Sequence, residues 1–250
     1  MILSQAALTT GTEREPLVSP LYAIVFLSLF AFNHHFGNVV LKTEQTMKII
    51  VGVTGASGAI YPLRLLSRLS VNPAIEIHLI LSRAGEKTLF LETGKLAADL
   101  KALAQYCWPL EDIAAPLASG SFRSDGMVVA PCSIHSMSAI ASGISSNLII
   151  RAADVILKER RRLILMVRET PFHLGHLRTM TALTEMGAII APPIPGFYNR
   201  PATIEDLVDS SIDRVLDLLG IDDQKSKRWA GPPPLLRSNT EDDSDDLNST

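Results

Sequence analysis

The sequence predicts a single doubly wound α/β domain on a parallel sheet, of the Rossmann-like or flavodoxin-like kind. Apolar, β-branched runs of about five residues recur along the chain, and helix-length segments separate them. This alternation is typical of βαβ units, whose parallel strands are covered by helices on both faces. The 250 residues, 47% of them hydrophobic, suffice for one sizeable core. We place this domain at residues 48–220.

The predicted elements alternate regularly. Strands are predicted at residues 49–53, 75–81, 126–130, 163–167 and 188–191. A helical apolar pattern covers residues 60–69, and helix-compatible sequence extends from residue 84 to residue 106. In doubly wound folds ligands lie beyond the carboxyl ends of the strands. The residues that follow each strand are therefore the candidates for chemistry.

The two ends of the chain differ from this pattern. Residues 1–46 form an amino-terminal extension whose apolar run, residues 21–32, is shorter than the roughly 20 residues that span a bilayer. We interpret the extension as a targeting segment, with a mitochondrial address, or as a segment without function in a cytoplasmic protein. Residues 221–250 contain a Pro-rich and then acidic stretch that is predicted to be a disordered tail.

Composition excludes several classes of function. The net charge of −3 gives no electrostatic footprint for nucleic acid. The two cysteines, Cys107 and Cys132, lack metal-site or disulfide-scaffold spacing and suit a reducing compartment. His173 and His176 have no evident third ligand, so no metal is expected.

A Gly-rich turn follows the first strand. Gly52, Gly55 and Gly58 are spaced GxxGxxG, whereas a dinucleotide site has GxGxxG. Ser82 follows the second strand, at a place where an NAD site has a carboxylate. The turn therefore favours a mononucleotide, with phosphate bound by the amides of the following helix. The alternative is a plain tight turn that binds nothing.

Polar residues also follow the third and fourth strands. Ser133 suits the start of a helix, where its hydroxyl can cap the helix or bind a ligand. Cys132 is more typical of a small buried filler than of a nucleophile, and His135 is a weak candidate base. Arg168 and Glu169 form either a structural ion pair or a phosphate-gripping cation beside a proton-transfer group.

More cations precede the fourth strand. Arg151 and Lys158 are seven residues apart, on one face of a helix, and Asp154 could pair with Lys158. Arg160–Arg162 are interpreted as a solvated junction. The four prolines of residues 192–201 predict a rigid loop that presents Tyr198 either for packing or as a ligand wall.

Several motifs together resemble the UbiX-type flavin prenyltransferases. They are VTGASGAIY, APCSIHSMSAI, RAADVILKERR, MVRETPFHLGH, PPIPGFYNRP and a late Arg-Trp pair, in order from residue 48 to residue 229. The resemblance implies a homo-oligomer, often a dodecamer, that binds FMN between subunits. It implies transfer of a dimethylallyl group from dimethylallyl phosphate to reduced FMN without a metal. The product would be the cofactor of a partner UbiD-type decarboxylase.

The resemblance also implies roles for residues at matching positions. The catalytic residues would be Ser57, Glu92 and Glu169. The flavin would be bound by Gly55, Ala56, Ser57, Ser82, Cys132, Ser133 and Arg151. The prenyl phosphate would be bound by Arg151, Lys158, Arg168 and Tyr198, with Ser119–Ser121 nearby and Trp229 closing the pocket. Some of these residues would come from a neighbouring subunit.

Two other functions are compatible with a flavin-binding fold. One is an FMN-dependent decarboxylase that oxidises a cysteine-type thiol substrate. The other is a non-catalytic FMN-binding regulatory subunit, which the acidic tail suggests. Neither function requires the cations Arg151, Lys158 and Arg168 to bind a second phosphate.

Overall fold

The computed structural model describes residues 46–223. Its sheet has six parallel strands in the order β3-β2-β1-β4-β5-β6. They are β1 (Met47–Val53), β2 (Ile75–Leu81), β3 (Tyr106–Trp108), β4 (Gly126–Cys132), β5 (Arg162–Val167) and β6 (Ile189–Ile190). This order is that of the Rossmann fold, so the predicted fold class is confirmed.

Helices connect the strands. They are α1 (Ile60–Ser70), α2 (Arg83–Thr93), α3 (Ala97–Lys101), α4 (Ile134–Ala141), α5 (Leu148–Lys158), α6 (Leu174–Glu185) and α7 (Ile204–Leu219). A short 3-10 helix, Pro116–Ala118, precedes β4. Within residues 46–223 no helix is long and apolar enough to cross a membrane. The predictions for residues 1–45 and for the acidic tail concern segments outside the described residues.

The helix-compatible sequence from residue 84 to residue 106 forms two helices and the start of a strand rather than one helix. Gly94 adopts a left-handed conformation with φ 67° and ends α2, since its N–H bonds the carbonyl of Phe90 at 2.9 Å. The left-handed region is open to glycine without steric cost. The chain then forms α3 and a further strand, β3, at the sheet edge.

The core consists of two layers, one on each face of the sheet. On one face Ile49 and Val51 of β1 belong to a buried cluster with side chains of α1 and α7. On the other face Ile50 of β1 belongs to a second cluster with side chains of α4 and α5. This division follows from the alternation of side chains along a strand.

Helix α5 is strongly amphipathic, and this decides which of its residues stay available for chemistry. Ala152, Ala153 and Ile156 are fully buried in the second core cluster. Arg151 is only partly buried and Lys158 is exposed. The apolar stripe therefore leaves both cations at the solvent-facing side of the helix.

Candidate functional site

A buried threonine joins the ends of β1 and β4, the two strands between which the strand order reverses. Thr54 is 3% exposed, and its hydroxyl donates to the carbonyl of Pro131 at 2.6 Å. The same oxygen accepts the N–H of Ser133 at 2.9 Å. These two bonds fix the Gly-rich turn against the start of α4. This is the topological switch point, where ligands bind in open α/β sheets.

Glycines bring the start of α2 against the end of β1. A Cβ on Gly55 would lie 2.5 Å from the Cβ of Ala84, and one on Gly85 would lie 2.9 Å from the carbonyl oxygen of Val53. Larger residues at either position would push the turn and the helix apart. The two glycines therefore allow close packing between the turn and the helix. The sequence analysis predicted only a ligand-binding role for the turn.

Three helix N-termini meet around one open cavity of about 390 Å³. Ser82, Ser133 and Asn147 are the capping residues of α2, α4 and α5, and each side chain accepts an N–H of its own helix. The positive ends of three helix dipoles therefore face the cavity, which favours an anion. The lining residues are Thr54, Gly55, Ser82, Arg83, Ala84, Leu110, Ser133, His135, Ser136, Asn147 and Ile149.

This cavity agrees with part of the predicted cofactor site. Gly55, Ser82 and Ser133 line it as expected, and Ala56 is partly buried in the adjoining turn. Asn147 was not predicted, although an Asn directly before an apolar helical stretch is a typical capping signal. Thr54 was missed as well, because both of its hydrogen-bond partners are more than 75 residues away in sequence.

Cys132 does not present its thiol to the cavity. The side chain is fully buried, and burial raises the pKa of the thiol to about 12. A neutral, buried thiol is a poor nucleophile. The backbone carbonyl of Cys132 instead accepts the N–H of Arg168 at 3.1 Å, linking the ends of β4 and β5. The side chain therefore has the position of a filler rather than of a ligand-binding group.

Ser57, Glu92 and Arg168 come together at the first turn. The carboxylate of Glu92 accepts the N–H groups of Gly58 and Ala59 at 2.9 and 2.8 Å. Burial opposes ionisation of Glu92, but hydrogen bonds from the Ser57 hydroxyl and the two amides, with the Arg168 charge, lower its pKa. Arg168 also donates to the carbonyl of Ser57 at 3.1 Å. Two of the three predicted catalytic residues thus lie beside a predicted phosphate-binding cation.

The contact with Glu92 corrects one expectation. The amides that precede α1 were expected to bind a phosphate, but those of Gly58 and Ala59 bind a carboxylate of the protein itself. The starts of α2, α4 and α5, which line the cavity, are therefore better candidates for binding an anion than the start of α1.

Glu169 follows Arg168 at the carboxyl end of β5. Its side chain is partly buried, and one carboxylate oxygen accepts the N–H of Thr170 at 2.9 Å. The third predicted catalytic residue is thus at the same edge of the sheet as Glu92 and Ser57.

The ion pairs of Arg151 and Lys158 differ from the predicted pairing of Lys158 with Asp154. Arg151 pairs with Asp154 at 2.7 Å and donates to the carbonyl of Ala118 at 3.1 Å. Lys158 pairs with Glu159, so the predicted pairing of Asp154 with Lys158 is wrong. Asp154 lies one turn after Arg151 on the same side of α5, and this geometry also suits an ion pair.

The segment that contains Ser119 and Ser121 lies beside Lys158, as the resemblance implies. Their hydroxyls are 2.8 Å apart, and a Cβ on Gly120 would lie 2.6 Å from the Lys158 ammonium nitrogen. A short loop with two hydroxyls thus contacts the cation at the end of α5.

One subunit does not assemble all of the predicted prenyl-phosphate residues. Helix α5 begins at the cavity, at Asn147, and Lys158 is its last residue, about 16 Å further along the axis. The strand β5 then returns across the sheet to Arg168. Lys158 therefore lies near the amino ends of the strands, and Arg168 lies at their carboxyl ends.

The prediction of a solvated junction at Arg160–Arg162 is correct for Arg160 and Arg162, which are exposed, and wrong for Arg161, which is half-buried. Arg160 is exposed with φ 57°. Arg161 donates to the carbonyls of Phe122 and Gly120 at 2.6 and 3.0 Å. Arg162 donates to the carbonyl of Leu219 at 2.5 Å. The last two arginines satisfy carbonyl groups of loop and helix ends, a common structural use of guanidinium groups.

The remaining predicted residues lie outside the cavity lining. Tyr198 is 58% exposed on the loop after β6. His173 caps α6, its Nδ1 accepting the N–H of Gly175 at 3.0 Å. No three His, Cys, Asp or Glu side chains of residues 46–223 could hold a metal ion together. Trp229 lies outside the described residues.

A Rossmann-type sheet with three capped helix starts around one switch-point cavity defines a mononucleotide-binding α/β protein. The chain belongs to the Flavoprotein family, whose model matches residues 39–216, and within it to the UbiX-type flavin prenyltransferases, as its relatives show. The resemblance recognised from the sequence motifs is thereby confirmed.

Curated relatives match most of the chain. The flavin prenyltransferase UbiX of Thauera aromatica is 50% identical over 185 residues, which are 74% of this chain and 95% of the relative. The flavin prenyltransferase UbiX of Escherichia coli K12 is 49% identical over 186 residues, 74% of this chain and 98% of the relative.

Solved structures agree with this assignment. A UbiX crystal structure in complex with FMN and dimethylallyl pyrophosphate is 45% identical, covers 75% of this chain and 99% of its own, and has a TM-score of 0.72. A dodecameric FMN-dependent UbiX-like protein from Escherichia coli O157:H7 is also 45% identical, covers 74% of this chain and all of its own, and has a TM-score of 0.73.

Proposed function

We propose that this protein is a flavin prenyltransferase that transfers a dimethylallyl group from dimethylallyl phosphate to reduced FMN. The observation that carries the proposal is the cavity at the switch point, where α2, α4 and α5 present their capped N-termini. Such a cavity suits the phosphate of a mononucleotide. Half of the aligned residues are shared with a flavin prenyltransferase, which supports the same reaction.

The residues of the cavity fit FMN. Hydroxyls of Ser82 and Ser133 and the amide of Asn147 are suited to a ribityl chain and a phosphate, whereas Leu110 and Ile149 offer apolar surface to a flat ring. Bound reduced FMN supplies the nucleophile that takes the prenyl group. The protein must then orient that ring and exclude water from it.

The prenyl phosphate requires cations where negative charge develops. As the carbon–oxygen bond of the donor breaks, its electron pair leaves with the phosphate. Arg168 lies beside Ser57 and Glu92, and we assign it to that phosphate. Lys158 joins it from a neighbouring subunit, because α5 places Lys158 near the amino ends of the strands of its own sheet. Arg151, in the first turn of α5, is assigned to the flavin and to the same phosphate, as the resemblance implies.

Acidic residues at the same edge have separate roles. Glu92 is held ionised by its hydrogen bonds and fixes Ser57 and the start of α1. Glu169 is the proposed acid–base group, and it or the released phosphate accepts the proton lost from the flavin ring. To Tyr198, and to Trp229 on the strength of the resemblance alone, we assign the exclusion of water from the reacting prenyl group.

The proposed biological setting has three parts. The chain assembles as a homo-oligomer, and a dodecamer is the form that a relative with 45% identity adopts. The product, prenylated FMN, is passed to a UbiD-type decarboxylase. The extension of residues 1–46 is a mitochondrial address, and cytoplasmic location is the alternative.

Phosphate release tests the proposed reaction. The purified protein, incubated without oxygen with reduced FMN and dimethylallyl phosphate, should release inorganic phosphate in step with loss of reduced FMN. Omission of FMN should abolish the release, and Arg168→Met should reduce it by about a hundredfold or more. Release of carbon dioxide from a cysteinyl peptide, without any phosphate release, would instead identify a cysteine-type decarboxylase.

A further inference from the structure

We propose that the ion pair between Arg64 and Asp209 positions the loop that presents Tyr198, and thereby controls affinity for the prenyl phosphate but not for the flavin. The inference rests on the proposed function, since it takes Tyr198 as part of the prenyl-phosphate site. Neither residue of the pair belongs to the cavity at the switch point.

The pair has a geometry that fixes orientation as well as distance. Arg64 lies in the second turn of α1 and Asp209 in the second turn of α7. The Arg64 Nε atom is 2.9 Å from Oδ1 of Asp209, and its terminal nitrogen is 2.5 Å from Oδ2. A two-pronged contact of this kind locks the planes of the two groups together.

A second ion pair joins the same two helices, α1 and α7. Arg68 bonds Asp213 at 2.8 Å, one turn further along both helices. The equal spacing of the two contacts shows that α1 and α7 lie side by side in the same direction. Loss of the Arg64 contact alone therefore leaves the helices joined at Arg68.

The loop lies against this helix pair. Arg64 and Asp209 line a cavity of about 170 Å³ with three loop residues: Gly196, Asn199 and Pro201. These residues flank Tyr198 on both sides in sequence. The end of the loop is held separately, because Asp206 accepts the N–H groups of Ala202 and Thr203 at 3.0 and 3.1 Å. The ion pair and the part of the loop that carries Tyr198 therefore face the same cavity.

The same helix connects the pair to the reacting groups. Helix α1 directly follows the turn of Ser57–Ala59, which contacts Arg168 and Glu92. The helix that carries Arg64 thus begins at the turn that contacts Arg168, and its second turn faces the same cavity as the loop that carries Tyr198. A change in the pair should alter the spacing between these two donor-binding residues.

Asp209→Asn is the test, because it keeps the size of the side chain and removes its charge. We expect the KM for dimethylallyl phosphate to rise about fivefold, while kcat and the Kd for FMN stay within about twofold of wild type. Asp209→Glu, which can restore the ion pair, should recover most of the donor affinity.

A matched control separates positioning from general stability. Lys48→Gln breaks the ion pair between Lys48 and Glu76, in which the two charged atoms are 3.0 Å apart. The side chains of this pair are 37% and 21% exposed, and those of the Arg64–Asp209 pair are 38% and 29% exposed. Lys48 lies at the amino end of β1, so the KM of this variant for the donor should equal that of wild type. An equal rise of KM in both variants would overturn the proposal.

Hydrogen exchange tests the inference independently of the reaction. Asp209→Asn should speed backbone exchange in residues 196–200, and should leave unchanged both residues 54–59 and the separately held amides of Ala202 and Thr203. Unchanged exchange in the loop would overturn the positioning role, whatever reaction the enzyme performs. A faster loop in a protein that makes no prenylated flavin would contradict the proposed function and with it the inferred control of donor affinity.

Discussion

Thr54 is the residue on which the geometry of the candidate site most depends. The residue is 3% exposed, and its hydroxyl bonds both the carbonyl of Pro131 and the N–H of Ser133. The two partners belong to β4 and to the start of α4. One side chain thus joins the first turn to the helix start that faces the cavity.

Thr54→Val should destabilise the protein by about 2 kcal/mol, because it keeps the shape and leaves a buried carbonyl and a buried N–H without their partner. Chemical denaturation at neutral pH measures the difference in the free energy of unfolding. Thr54→Ser keeps the hydroxyl and is the control. A Thr54→Val protein as stable as Thr54→Ser would show that the two bonds contribute nothing.

Glu169 is the acid–base residue of the proposed reaction. Glu169→Gln removes the charge and keeps the size, so FMN should bind with unchanged affinity while turnover falls by about a hundredfold or more. Flavin titration and a rate measurement separate the two effects. Wild-type turnover in this variant would remove Glu169 from the mechanism and leave the released phosphate as the base.

Sequence motifs were sufficient to predict which residues gather at the first turn, but not their partners. Ser57, Glu92 and Arg168 lie together as the resemblance implies. Asp154 pairs with Arg151 of its own helix rather than with Lys158, since both spacings suit an ion pair. Arg161 is half-buried because it bonds carbonyl groups of a loop about 40 residues away in sequence. Charge spacing along one helix does not determine such long-range contacts.

Among the secondary-structure elements, β3 is the strand that the hydrophobic periodicity of the sequence did not predict. It has three residues, and it follows a stretch whose apolar pattern is compatible with one long helix. The strand is stabilised by contacts of its aromatic side chains with β2. The ring of Tyr106 stacks on His78 at 4.8 Å, and the indole N–H of Trp108 donates to Nδ1 of His78 at 3.2 Å. Hence tertiary packing, not local pattern, forms this strand.

His78 makes the β2–β3 edge sensitive to pH. The side chain is buried, and its Nε2 lies 2.8 Å from the carboxylate of Glu76. Burial lowers the pKa of His78, although the Glu76 contact opposes this. The unfolded chain therefore binds a proton near pH 6.5, the ordinary value, while the folded chain still excludes it.

The free energy of unfolding should consequently fall as pH drops below about 6.5, and the loss should end below the folded pKa of His78. His78→Gln keeps one donor and one acceptor without a titrating group. Denaturant midpoints at pH 7.5 and pH 5.5 compare the two proteins. A loss as large in His78→Gln as in wild type would assign the pH dependence to other groups.

In the proposed reaction, a single chain of this protein lacks a complete prenyl-phosphate site. Arg168 lies at the carboxyl ends of the strands of the sheet and Lys158 lies near their amino ends, so a donor phosphate can meet both cations only between subunits. The chain also exposes apolar side chains near the end of α2. Phe90, Leu91 and Leu96 are 56%, 70% and 59% exposed. Large apolar side chains exposed close together in sequence suit an interface between subunits.

Leu91→Glu should leave the fold of the chain intact and disrupt its assembly, since a charge would be buried at the contact between subunits. Light scattering after size-exclusion chromatography should show a smaller species with wild-type circular dichroism and little transferase activity. A variant that remains fully assembled and active would place the interface elsewhere.

The mass of the flavin extracted after turnover tests the central claim most directly. The protein is incubated without oxygen with reduced FMN and dimethylallyl phosphate, and the flavin is released by denaturation and weighed by mass spectrometry. We expect the flavin from the wild-type protein to gain the mass of one five-carbon prenyl unit. The flavin from Glu169→Gln and Arg168→Met, sampled over the same interval, should lack this gain. Unmodified FMN from the wild-type protein, with the donor intact, would contradict the assignment.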